Sequence, residues 1–371
     1  MADAQAILLL LRQYKLCRRC FERNNAAGGG RSKPDRRQCY ICRGLMDSID
    51  SIVDKIIGAV RDYEFETFVI GATLPTQIYE REDAMRARLK IRGRESVKNQ
   101  LTKELGMRLA RLIRKKAEYM KPDLTVSLVI DKENNVDVAV KSRPLMLSGR
   151  YVKKSRGVPQ KQDRCPDCEG RGCSSCNNTG GLSGNGSVEG VIAKGLVEMT
   201  GGQAPKFSWI GSEDQSSLVL GSGRPFYARI YNPKKRKLKR SRISGSGVVA
   251  TLSVIEEEDE PDLQPRFKVK TRIHAKCEKE LTKDDMKKLG SLAGAEVSYE
   301  NRSKMATKKI YSAWARRIND NQFSLTMVAD GGMMIKQFVG GEEYMKPNIS
   351  EILGKKCECV GFDILDVSLQ Q

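Results

Sequence analysis

Only one histidine, His274, stands among the 371 residues. One imidazole cannot build a His-rich metal centre, and Ser-His-Asp catalysis would have to rest on it alone. In the alternating stretch 267–274 it reads as a strand residue, structural or RNA-facing. Long apolar runs are missing too: residues 6–11 form the longest near the start, far short of the roughly 20 needed to span a bilayer. Met1-Ala2-Asp3-Ala4 supplies neither the basic region nor the cleavage site of a secretory signal. The expectation is a cytoplasmic protein without membrane contact, its thiols reduced. There is no internal repeat, Walker-type phosphate loop, dinucleotide fingerprint or His-Glu-x-x-His pattern, which argues against nucleotide hydrolysis, hydride transfer and zinc proteolysis.

Positive charge, by contrast, is abundant. Lys and Arg number 66 against 46 Asp and Glu, a net charge of +20. A surplus of that size points to a polyanion, most commonly nucleic acid; a well-solvated basic surface is the bland alternative. With 39% apolar residues and 371 positions the chain has material for two or three cores.

Eight of the eleven cysteines fall in two clusters, Cys17-x-x-Cys20 with Cys39-x-x-Cys42, and Cys165-x-x-Cys168 with Cys173-x-x-Cys176. A CxxC turn brings two sulfurs to one side of a knuckle, and two knuckles complete a closed, structural zinc site. The 18-residue spacer of the first cluster suits a zinc ribbon. Inside it, glycines 28–30 and Arg31, Lys33, Arg36 and Arg37 form a basic loop able to lie along phosphates, or simply a solvated fingertip. The second cluster reads like half of the chaperone zinc domain built from CxxCxGxG repeats. With one and a half repeats and no J-type His-Pro-Asp signature, a cochaperone is not expected. Cys277, Cys357 and Cys359 have no matching partners and read as core or surface thiols.

Periodicity outlines the rest. Residues 49–60 are amphipathic, 66–74 read as a buried strand, and 96–116 as a long helix with Leu101, Leu105, Leu109, Leu112 and Ile113 on one face and basic residues elsewhere. Strands at 125–130 and 136–140 flank a polar hairpin turn. Residues 232–242 hold seven basic residues and no acid, a phosphate-binding loop or a solvated one, while 256–262 is an acidic loop.

Several segments resemble one family. Gly211-Ser-Glu213-Asp214-Gln-Ser216-Ser-Leu-Val-Leu220-Gly221-Ser-Gly223-Arg224-Pro225-Phe226 is similar to the active-site stretch of the archaeal and eukaryotic tRNA pseudouridine synthases of the Pus ten family. Gly331-Gly332-Met-Met334-Ile335-Lys336-Gln-Phe-Val-Gly-Gly341 and Lys346-Pro347-Asn-Ile-Ser350-Glu351-Ile-Leu353-Gly354 resemble its C-terminal motif. The order of parts agrees as well: a CxxC pair, a THUMP-like region, Gly149-Arg150-Tyr151-Val-Lys-Lys-Ser-Arg156-Gly157, a second CxxC pair, then Ser187-Val-Glu189.

The resemblance implies isomerisation of uridine 54, uridine 55 or both in the TΨC arm of tRNA, with no organic cofactor. It implies an aspartate as nucleophile or proton acceptor, a basic partner at Lys336, and a base-stacking tyrosine at Tyr311. Met334 stands where the family has a tyrosine, and Arg224 would contact substrate. The family stretch runs Glu-Asp-x-Asp with the second aspartate catalytic, and a gapless count back from Gly221 places Ser216 there. Asp214, two residues upstream and about 6.6 Å away along a strand, would then serve only if the loop shifted. Three readings stay open: an active synthase using Asp214, a catalytically impaired homologue that binds tRNA or assists its folding, and an unrelated basic zinc protein. The architecture expected is α+β, with a zinc-ribbon-like module at 1–47, a THUMP-containing α/β RNA-binding domain at 48–163, and a pseudouridine-synthase-like domain at 164–371. The last has a mixed, largely antiparallel sheet and carries the second CxxC pair at 165–176.

Overall fold

The computed structural model describes residues 13–24, 39–182, 186–238, 241–255, 262, 265–301, 304–342 and 344–370. The basic loop with Arg31, Lys33, Arg36 and Arg37, most of the acidic loop, and Lys239 and Arg240 of the basic run lie outside the described residues. The chain divides into two units, Met1–Arg143 and Pro144–Gln371.

In the first unit, helix α1 (Arg18–Asn24) leaves the first knuckle and α2 (Ile49–Val60) follows the second. In α2, Ile49, Ile52, Val53, Ile56 and Val60 recur at helical spacing and all are buried. Strand β1 (Thr67–Thr73), helices α3 (Thr76–Leu89) and α4 (Val97–Ile113), and strands β2 (Lys116–Ala117), β3 (Leu124–Ile130) and β4 (Val136–Ser142) complete the unit. The sheet order is β2-β1-β3-β4, parallel except for the β3/β4 hairpin. Ser96 caps α4 by accepting from the Asn99 N–H at 3.2 Å. Leu101, Leu105 and Leu109 are buried as expected, but Leu112 is 62% exposed. The helix ends one residue later, at Ile113, which with Ala110 packs partly buried against the core while Leu112 faces away from it.

One continuous core runs from Leu16 to Val136 and includes the four knuckle cysteines, so the described residues of 1–47 share the core of the whole unit. The fully buried Arg23 guanidinium ties the knuckle in, 2.6 Å from Glu82 of α3 and 2.5 Å from Gln100 of α4.

The second unit starts at β5 (Leu145–Lys153), ahead of the expected boundary at 164, because β5 pairs along its length with later strands. The chain continues through the second knuckle, α5 (Val188–Thr200), β6 (Lys206–Trp209), β7 (Val219–Ile230), β8 (Arg242–Gly245), β9 (Val248–Val254) and β10 (Phe267–Cys277). It ends with α6 (Lys283–Gly290), β11 (Glu296–Asn301), β12 (Lys304–Arg317), β13 (Gln322–Asp330), α7 (Ile335–Gly340), β14 (Met345–Lys346), α8 (Ile349–Leu353) and β15 (Cys357–Leu369).

Eleven strands form one sheet in the order β14-β11-β12-β13-β10-β15-β7-β5-β9-β8, with β6 also on β7. Every pairing is antiparallel except β15 with β7, the largely antiparallel mixed sheet expected. That parallel contact joins two halves, each with its own core: β5, β7 and β9 with α5 on one side, β10–β13 with α6, α7 and α8 on the other.

His274 lies in β10, opposite Ser324 of β13 and Gly361 of β15. The reading of Cys277 and Cys357 as unpartnered thiols is corrected. The β10/β15 register sets them opposite each other, their α-carbons 4.1 Å apart, and they form a disulfide; Cys359 stays free.

Candidate active site

The segment between β6 and β7 is held by buried charge. Gly211 has φ +78°, and a Cβ there would stand 2.4 Å from Arg224 Nη1, so only glycine fits. The Glu213 side chain is fully buried, 3.0 Å from the equally buried Lys153 ammonium, and it accepts the Tyr151 hydroxyl at 2.8 Å. Lys153 also donates to the carbonyls of Val158, Asp214 and Gln215, at 2.8, 3.2 and 3.3 Å. Arg156 donates to the Ser216 carbonyl at 2.6 Å and pairs with Asp363 at 2.7 Å, whose carboxylate accepts the Leu218 N–H.

Gly149-Arg150-Tyr151-Val-Lys-Lys-Ser-Arg156-Gly157 is thus the cradle of this loop. Sequence reasoning singled that motif out by likeness alone and gave its residues no role. A lysine two residues after a tyrosine on a strand, hence on the same face, was the available signal.

With Glu213 pointing inward, the next side chain points out. Asp214 lies 2.5 Å from the Lys336 ammonium in the first turn of α7, and its other oxygen accepts the Ser216 N–H and hydroxyl at 2.9 and 2.7 Å. The Lys336 hydrogen bond, then those of Ser216, hold the Asp214 carboxyl well below the usual carboxylate range, and Asp214 raises the pKa of Lys336 in return. Both residues line a cleft of about 320 Å³ between β10, β13 and β15, with Asp330, Met334 and the apolar Phe267 and Phe362 among its walls.

Tyr311 sits where the β12/β13 register shifts, a bulge that re-aims its side chain. It does not line the cleft itself; its hydroxyl donates to Asp330, which does, at 3.0 Å, and the Lys268 ammonium stands 3.8 Å from its ring centroid.

One expectation changes. Ser216 is exposed, does not line the cleft and donates to Asp214, which does line it. The separation along a strand misled because 214–216 form a turn in which the later residue bonds back to the earlier one. Arg224 also lines the cleft although it is only 2% exposed; its guanidinium donates to the Ile210 carbonyl at 2.7 Å and lies 3.6 Å from Glu213.

The eight expected cysteines do assemble. In each cluster the four sulfurs lie within 4.8 Å of one another. Cys17 and Cys42 are 3.7 Å apart, and in the second cluster the Cys165–Cys173, Cys168–Cys176 and Cys173–Cys176 sulfurs are 3.9, 3.8 and 3.8 Å apart. A tetrahedral ion with bonds of about 2.3 Å sets its sulfurs about 3.8 Å apart. The Gly172 and Gly180 N–H groups donate to Cys168 and Cys176 sulfurs at 3.2 and 3.3 Å, as thiolates require. Both clusters can hold a metal ion.

The family model described as "Pus10, C-terminal" matches residues 146–368, and that described as "Pus10 THUMP domain, archaeal" matches residues 52–131. The chain belongs to the Pus10 family. Curated relatives called "tRNA pseudouridine synthase Pus10" are similar along most of their length. That of Nitrosopumilus maritimus is 32% identical over 97% of each chain. That of Cenarchaeum symbiosum is 34% identical over 93% of this chain and 84% of its own, and that of Methanocaldococcus jannaschii 30% over 90% and 76%. The cradle, Asp214, Lys336 and the second cysteine cluster all fall inside the Pus10 C-terminal match, whereas the first cluster precedes both matches. Among the described residues no helix is long and apolar enough to cross a membrane.

Proposed function

We propose that this Pus10-family chain is a cytoplasmic tRNA pseudouridine synthase acting on uridine 54, uridine 55 or both in the TΨC arm. The observation that carries the reading is the Asp214–Lys336 pair, an ionised carboxylate held against a cation at the wall of a cleft. Isomerisation breaks the bond from C1′ to N1 and forms one from C1′ to C5; the C5 proton is lost and N1 gains one, so no atom is added and no organic cofactor is needed. The base must first leave its stack. Asp214 is the nucleophile at C1′ or the proton acceptor, and Lys336 keeps it ionised at neutral pH.

Tyr311, bonded to the cleft wall at Asp330, stacks on the flipped uracil as the base enters, a contact of about 1–3 kcal/mol, and Met334 packs beside it as a softer apolar wall. Arg224 contacts the substrate from the cleft wall beneath the loop it supports. The ion in each cysteine cluster is zinc, closed by four thiolates and therefore structural.

Unmodified tRNA transcript incubated with the purified chain, with pseudouridine mapped by carbodiimide primer extension, tests this. Product at 54 or 55 that disappears in Asp214→Asn while tRNA affinity holds is the expected result. Binding without product in the unaltered protein would establish an impaired, tRNA-binding homologue. Product that survives in Asp214→Asn would remove Asp214 from the chemistry.

A further inference from the structure

The first unit contains a pocket that the isomerisation site does not use. It encloses about 230 Å³ and is lined by Arg43, Gln77, Arg81, Lys132 and Asn134 with Pro75 and Ile78. Three segments far apart in sequence meet there: the turn after Cys42, the first turn of α3, and the β3/β4 hairpin turn.

Each is fastened in place. Arg81 donates twice to the Ile41 carbonyl, at 3.0 and 2.8 Å, from inside the second CxxC of the first cluster. Asn134, at φ 66°, donates its amide to the Arg43 carbonyl at 3.0 Å. Asp131, the acid of that hairpin turn, is occupied by the N–H groups of Glu133 and Asn135 and by the Asn135 amide. Among the described residues, no carboxylate lines the pocket. The cations Arg43, Arg81 and Lys132 thus converge on a pocket that none of the described carboxylates lines. A concave site with three cations and two amide side chains matches a tetrahedral oxyanion.

We propose that this pocket is a phosphate site that seats one phosphate of the bound RNA. The RNA as partner rests on the function proposed above; the phosphate chemistry rests on the pocket alone. One phosphate shared by several cations makes a quantitative difference. If Arg43 and Lys132 each met a separate phosphate, losing both would remove two units of counterion release; sharing one, they remove a single unit, about 0.7–0.9 in the slope of log K against log salt.

The variants are Arg43→Asn, since asparagine tolerates the φ of 47° at that position, Lys132→Ala and the pair combined, in the full chain. The control is Lys287→Ala, exposed on α6 of the second unit. Two readouts are needed: affinity for tRNA across a salt series, and NMR perturbation of the Asn134 side-chain amide by inorganic phosphate against chloride at equal ionic strength. The expected result is a phosphate-specific Asn134 shift, a roughly tenfold loss of tRNA affinity in the double variant, and a slope reduced by one unit with the control unchanged. No phosphate-specific shift in the unaltered protein, or a double variant whose tRNA affinity and slope match the control, overturns the proposal. A slope reduced by two units overturns the single shared phosphate. Phosphate bound at Asn134 by a protein that fails to bind tRNA keeps the phosphate site and discards the tRNA reading instead.

Discussion

Replacing Lys153 with methionine isolates the cradle from the chemistry. The Lys153 and Glu213 side chains are both fully buried and 3.0 Å apart, and the same ammonium satisfies three backbone carbonyls of the loop segments it joins. Methionine fills the volume but leaves Glu213 with the Tyr151 hydroxyl and an Arg224 nitrogen at 3.6 Å. Breaking a buried pair by removing one partner costs about 3–5 kcal/mol. At about 2–4 °C per kcal/mol for a unit of this size, the transition of the second unit should fall by roughly 6–20 °C. Lys153→Met with Glu213→Gln removes both charges and should recover most of that loss, yet pseudouridine formation should stay low because the loop is no longer tied down. Lys336→Met makes the opposite split. Its side chain is 55% exposed, so screening keeps the stability change below about 1 kcal/mol while turnover collapses. Calorimetry of the full chain and single-turnover product formation read both quantities. A Lys153→Met protein that melts with the unaltered one and keeps its activity would refute the cradle.

Gly211→Ala forces a Cβ to 2.4 Å from Arg224 Nη1 and 2.8 Å from Phe267 at a φ of +78°; it should lower single-turnover rates severalfold and stability by about 1–3 kcal/mol. The Asp214 carboxyl has a depressed pKa in the folded chain, so its pairing contributes stability above the ordinary carboxylate pKa and loses it as pH falls through the folded value. In Lys336→Met, a carbon-detected NMR titration of Asp214 should move up toward about 3.9, and an unmoved titration would deny the pairing. Elemental analysis should find zinc in both clusters, with Cys20→Ser losing one ion and lowering the transition of the first unit only, and Cys168→Ser doing the reverse for the second.

Local patterns were legible wherever a few residues settle their own conformation. The stripe Ile49, Ile52, Val53, Ile56 and Val60 produced the helix it predicts, the polar run after Ile130 produced a hairpin, and each cluster of CxxC turns brought its sulfurs together. Lys336 and Asp214 were both named from the sequence, but their pairing spans 122 positions and no local pattern encodes it. Strand spacing also overstated the separation of Asp214 and Ser216, since a turn, unlike a strand, lets a hydroxyl two residues on reach back to the carboxylate.

By itself the sequence determined what short range and composition dictate: basic charge, two four-thiolate clusters, an α+β pattern and the order of its motifs. Tertiary structure alone decided which charges are buried and therefore which point outward. Sheet pairing brings Lys153 of β5 under Glu213 and thereby turns Asp214 to the cleft. The β10/β15 register bonds Cys277 to Cys357, and the bulge at Tyr311 aims its hydroxyl at Asp330. The physical reason is the same in each case: the free energy of a buried charge or a cross-strand contact depends on a partner tens to hundreds of residues away, and only the folded chain supplies that partner.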